Sequence, residues 1–147
     1  MITFTKEQIK EIAGELECGL RAFYHQTTGE LMFVPDPNKF DDTEAWEDDL
    51  QKLENNFLDY REIEAMESRE SFIVMEDFVE QLKNSTIKIK LLNALEKRKP
   101  FREFKCVIDN AGDLRELWFS YKSQRNIEWV AKQIKTQTEI DEQENEW

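Results

Sequence analysis

Apolar positions along this chain follow two periods, and the switches between them mark its elements. Ile9, Ile12 and Ala13 recur at helical spacing after Thr5, which with Gln8 three residues on has the form of a capping box. A short helix ending before Gly14 or Gly19 is predicted. Next, Leu20-Arg21-Ala22-Phe23-Tyr24 and Leu31-Met32-Phe33-Val34 flank Gln26-Thr27-Thr28-Gly29-Glu30. Two apolar and aromatic runs around a glycine-bearing turn read as a β-hairpin. Pro35-Asp36-Pro37-Asn38 closes the second strand, because proline cannot donate to the ladder.

From Thr43 the period becomes helical. Trp46, Leu50, Leu53 and Phe57 form one amphipathic stripe, opposite Glu44, Glu47, Asp48, Asp49 and Glu54. Tyr60–Met66 is a candidate third strand. Ser68 is placed to cap a helix whose inner face is Phe72, Met75, Phe78, Val79 and Leu82. Asn84-Ser85 precedes a helix over Ile87–Leu95, and Pro100 sets the first turn of the next one. Phe101, Phe104 and Ile108 are its expected inner stripe, and Asn110-Ala111-Gly112-Asp113 its stop. Leu114, Leu117, Trp118, Tyr121 and Trp129 lie on the last helix, where Trp118, Tyr121 and Trp129 read as core; beyond Lys135 the polar tail is expected to fray. The fold class is α+β: a small antiparallel sheet packed against several helices, with the C-terminal half all helical. A single domain over 1–135 and an acidic tail over 136–147 are expected.

Composition narrows the class. With 147 residues, 39% hydrophobic and 12% aromatic, the chain can bury a core despite 35% charge. No apolar run approaches the roughly 20 residues that span a bilayer, so no membrane segment is expected. The N-terminus lacks a charged-then-apolar pattern, so no signal peptide is expected. Cys18 and Cys106 make no CxxC and read as free thiols of a cytoplasmic protein. The net charge of −12 is unevenly spread: residues 36–80 carry 4 basic and 16 acidic side chains, and 81–105 carry 8 and 2. Two solvated faces attracting one another are the plain reading; a basic patch for an anionic partner is the sharper one.

Chemistry is sparse. His25 is the only histidine, so ordinary zinc sites lack ligands, and a half-buried structural role is expected for it. No phosphate-loop, dinucleotide, zincin or nucleophile-elbow motif occurs. The acids Asp36, Asp41, Asp42, Glu44, Glu47, Asp48 and Asp49 lack calcium-loop spacing and read as a solvated helix start. Glu76 and Asp77 are adjacent and so point about 100° apart on a helix. No metal or cofactor is expected, and no catalytic residue is assigned.

Six cations are candidates for ligand or partner binding: Arg69, Arg98, Lys99, Arg102, Lys105 and Arg125. Arg69 begins a helix, where its charge opposes the macrodipole and calls for an acid of the 36–64 block or an anionic ligand. Arg125 is four residues after Tyr121 and is expected to snorkel or pair with Glu128. Arg98, Lys99, Arg102 and Lys105, with Lys97, surround a helix N-terminus, a combination that suits phosphate oxygens.

Three segments resemble a set of bacterial proteins grouped as uncharacterised protein family 0158. They are Tyr24 with Thr28-Gly29-Glu30; Ile63–Glu70 with Met75-Glu76-Asp77-Phe78; and Ala94-Leu95, Arg98, Pro100-Phe101-Arg102, Phe104-Lys105, Trp118, Arg125 and Glu128-Trp129. The likeness runs over residues 19–130 and departs at Lys97, where glycine is frequent in the family. It implies a shared fold and adds no catalytic residue. The function expected first is a non-catalytic interaction module with a protein partner. The alternative is nucleic-acid or phosphate-ligand binding through 97–105, and the third reading is an enzyme using carboxylates and Arg69.

Overall fold

A computed structural model describes residues 2–36, 38 and 42–145, the last four by their backbone alone. The elements are α1 (Lys6–Glu17), β1 (Leu20–His25), β2 (Leu31–Pro35), α2 (Glu47–Asn55), β3 (Tyr60–Ile63), α3 (Ser68–Glu80), α4 (Ser85–Leu95), α5 (Pro100–Asp109) and α6 (Leu114–Asn145). The fold is α+β, with one three-stranded antiparallel sheet in the order β2-β1-β3. Contacts gather the chain into two units, residues 1–65 with 126–147 and residues 66–125.

In the first unit the sheet is covered on both faces. Central β1 therefore buries consecutive residues where a half-exposed strand would alternate. Ala22 and Tyr24 face Ile12, Ala13 and Leu16 of α1, together with Val130 and Ile134 of α6. Phe23 faces the other way, into Met32, Val34, Tyr60 and Leu53 of α2. The hairpin register pairs Leu20 with Pro35 and Tyr24 with Leu31. Gly29 closes the turn at φ +76°, and a Cβ there would meet the Ile2 side chain at 3.3 Å. Glycine is needed on both counts.

Thr5 completes the expected capping box: its Oγ1 accepts from the Gln8 N–H, and Gln8 Oε1 accepts from the Thr5 N–H. His25 is half-buried at the end of β1. Its Nδ1 accepts from the N–H groups of Thr27 and Thr28 and so secures the hairpin turn. Strand β3 ends at Ile63 instead of Met66, because Glu64 turns its backbone toward α6. The Glu64 N–H donates to Gln133 Oε1, and its carbonyl accepts from Gln133 Nε2 and Trp129 Nε1. Gln137 Nε2 reaches the Glu62 carbonyl at 3.4 Å. These side chains take the place of a fourth strand along the sheet edge.

Several other expectations change. The helix does not stop near Lys135 but runs to Asn145. Gln137 accepts from the Tyr24 hydroxyl, and Asp141 accepts two bonds from Arg61, so tertiary contacts carry the helix onward. Phe57 falls beyond α2 in a 3-10 turn and is 69% exposed. No side chain caps α2, which begins with its own 3-10 turn after Thr43. Glu67 is the N-cap of α3, and Ser68 is its first helical residue. Asp41 of the acidic cluster lies outside the described residues.

The described residues of the second unit form helices joined by turns, with no strand. Its core is Val74, Met75, Phe78 and Val79 of α3, Leu91 and Leu95 of α4, Phe104 and Ile108 of α5, and Trp118 of α6. The Trp118 ring stands edge-on to Phe104 at 4.9 Å and tilted against Phe78 at 5.2 Å. Asn84 caps α4, its Oδ1 accepting from the N–H groups of Thr86 and Ile87. Pro100 occupies the first turn of α5 as expected. Phe101 and Leu117 leave their expected stripes, at 43% and 61% exposed. Tyr121 is only partly buried, as is Trp129 in the first unit.

Candidate functional site

All six cations singled out from the sequence belong to the second unit, but they are put to different uses. Arg125 is engaged. Its Nη1 donates to Asp77 Oδ2 at 2.8 Å and to the Tyr121 hydroxyl at 2.7 Å, and its guanidinium lies 5.6 Å from the Tyr121 ring centre. The bond to Asp77 holds the guanidinium still more firmly in its charged form, against the opposing effect of burial. The expected partner Glu128 is replaced by an acid 48 positions away that α3 brings alongside. Local spacing cannot anticipate such a pairing. Asp77 is thereby separated in role from its neighbour Glu76, which faces a groove.

Arg69 is exposed in the first turn of α3 and, among the described residues of its unit, forms no ion pair. Beside it, Glu70 has one buried oxygen, Oε2, without a hydrogen bond among the described groups.

Arg98 and Lys99 occupy the turn before α5, while Arg102 and Lys105 sit three residues apart on its outer face. All four are exposed and free of ion pairs among the described residues; Lys97 approaches Glu103 at 3.8 Å. No side chain caps the α5 N-terminus beside this charge. Lys97 takes an ordinary backbone conformation: among the described residues only glycines have positive φ. The turn geometry therefore needs no glycine there.

A groove of about 460 Å³ runs between α3 and α4, with Phe72, Leu92 and Leu95 on its apolar floor. Leu92 is 44% exposed. Phe72 carries the apolar surface on to Phe101, edge-on at 6.4 Å. Glu76, Glu80 and Glu96 form the rim and make no ion pair among the described residues, while Lys88 lies among them. The Lys88 ammonium donates to the Glu80 carbonyl at 2.9 Å. Glu80 and Glu96 stand at the C-terminal ends of α3 and α4, where the helix dipoles already concentrate negative charge. The available signal was in α4 itself, where Ile89 and Leu92 are apolar positions off the stripe formed by Leu91, Ala94 and Leu95.

The first unit has a groove of its own, about 440 Å³, whose lining includes Phe23, Leu50 and Phe57. Two of its charged side chains are paired, Arg21 gripping Glu62 through two bonds of 2.9 and 2.8 Å, while Glu54 makes no ion pair among the described residues. Among the described residues no three side chains are grouped to hold a metal ion, and no helix is long and apolar enough to cross a membrane. Cys18 and Cys106 are exposed free thiols.

The model of an uncharacterised protein family (UPF0158) matches residues 1–144. The chain belongs to this family. The match extends well past the 19–130 span of the segments quoted above. Two pairs of those family-like residues meet in the fold: Asp77 bonds Arg125, and Trp129 bonds the Glu64 carbonyl. No curated protein and no solved structure matches the chain.

Proposed function

We propose that this chain is a non-catalytic, cytoplasmic interaction module that binds a protein partner through its second unit. The observation that carries this reading is the α3–α4 groove, where a half-exposed Leu92 and Phe72 meet an unpaired acidic rim. Exposed apolar surface with a polar border is the usual make-up of a protein-binding patch. Ile73, Ile89 and Phe101 of the same unit add exposed apolar side chains. Cytoplasmic placement is supported by two exposed, unbridged thiols.

A second reading has its own support. Arg98, Lys99, Arg102 and Lys105 leave their charges free around an uncapped helix N-terminus, which suits a phosphate-bearing ligand or a nucleic-acid backbone. One experiment separates the two. A photo-crosslinking residue is placed at position 92 or at position 102 in the cell that makes the protein. The first reading expects one discrete protein adduct from position 92, with the purified pair weakened at least tenfold by Leu92→Glu. Nucleic-acid adducts from position 102, with heparin retention that Arg102→Glu abolishes, would instead establish the second. Should position 92 give no adduct, the leading reading fails.

A further inference from the structure

We infer that the α3–α4 groove receives a cationic amphipathic helix, an inference that rests on the interaction-module reading and names its partner's chemistry. The shape of the site argues for a helix. Both walls are helices, and no described residue between 66 and 125 is in a strand, so there is no edge for an extended peptide to join. A groove between two helices is the kind of surface on which a third helix packs. The α3 wall runs from Phe72 to Glu80, about 12 Å at 1.5 Å per residue. That accommodates two to three turns of a partner, with apolar anchors at i, i+3 or i+4, and i+7.

The electrostatics select the sign. Three carboxylates, Glu76, Glu80 and Glu96, face one ammonium, Lys88, which is already bonded to a carbonyl. Two of those acids add to the negative C-terminal ends of their helices, an arrangement unfavourable in the free protein. Lysine or arginine flanking the partner's apolar stripe would relieve it. An anionic helix would aggravate it.

The test uses the full-length chain and fluorescence anisotropy. Three labelled synthetic peptides are compared: a leucine-striped helix flanked by lysine, the same helix flanked by glutamate, and a proline-rich peptide with the same positive charge. The lysine helix is expected to bind at least tenfold more tightly than either of the others. Glu76→Lys with Glu80→Lys should reverse the preference for charge, and Leu92→Glu should weaken the lysine helix at least tenfold. Glu7→Lys with Glu11→Lys on exposed α1 should leave binding unchanged. Circular dichroism and thermal melts confirm that each variant is folded. Equal binding of both helices, equal binding of the proline-rich peptide, an equal loss from the α1 reversal, or no binding overturns the inference. If position 92 still crosslinks one partner while the rim reversal has no effect on it, the module reading survives and only the cationic helix is lost.

Discussion

The two units treat their arginines differently. The first has two arginines, and both are held by two bonds to a carboxylate: Arg21 to Glu62 and Arg61 to Asp141. The second has five, and three of them, Arg69, Arg98 and Arg102, form no ion pair among the described residues of that unit. The difference follows from architecture. A three-stranded sheet has two edges and two faces to close, so its polar side chains are drawn into that work, as with Gln133 and Gln137 along β3. A helical unit satisfies its backbone within each helix and leaves its surface charges free. Unused charge beside exposed apolar side chains is what a binding surface requires, and the α3–α4 groove combines the two.

The largest test of this contrast is in the helical core. Phe104→Ala removes a ring that is 2% exposed and packed on Trp118, and should cost about 3–5 kcal/mol in urea unfolding. Phe101→Ala, one turn earlier and half in solvent, should cost about 1 kcal/mol or less, a difference that separates core from binding surface. Equal losses would place Phe101 in the core and remove it from the proposed surface.

A smaller effect is expected at the sheet edge. Gln133→Ala removes an exposed hydrogen bond from the Glu64 N–H, which water then takes up, and should destabilise by about 0.5–1.5 kcal/mol, with faster amide exchange at Glu64. Unchanged exchange there would show that the α6 side chains do not protect the edge.

The smallest concerns pH. Burial pushes the Tyr24 phenol above its ordinary value, with Arg61 nearby pulling it partly back. The folded chain therefore keeps a proton that the unfolded chain releases. This contribution is complete below the unfolded value, about 10, and is lost as pH rises through the folded one. Tyr24→Phe forfeits the bond to Gln137 at neutral pH, so the wild type should be the more stable there. The gap in urea midpoints should narrow above pH 10. A constant gap would mean that the hydroxyl is not desolvated on folding.

Periodicity and punctuation were enough for much of the fold. The Thr5–Gln8 box, the Gly29 turn, Asn84 and Pro100 each act within three residues of themselves, and each is where the pattern puts it. The inward placement of Phe104 and Ile108 on α5 and of Trp118 on α6 was legible from helical spacing, although the same spacing put Phe101 and Leu117 inward and both are exposed. Local rules failed where a distant partner competes. Phe57 continues the Trp46–Leu53 spacing but lies beyond the end of α2, and nothing near Lys135 shows that Tyr24 and Arg61 wait for Gln137 and Asp141.

The sequence by itself determined the class of each element, the residues able to form a core and the sign of each charged stretch, because these depend on spacing and composition along the chain. Tertiary structure alone decided which charges are neutralised. Arg125 found Asp77, Arg102 found no partner among the described residues, and three glutamates came to border one groove. Coulombic and hydrogen-bond energies depend on distances of a few ångströms between residues tens of positions apart, and only folding sets those distances.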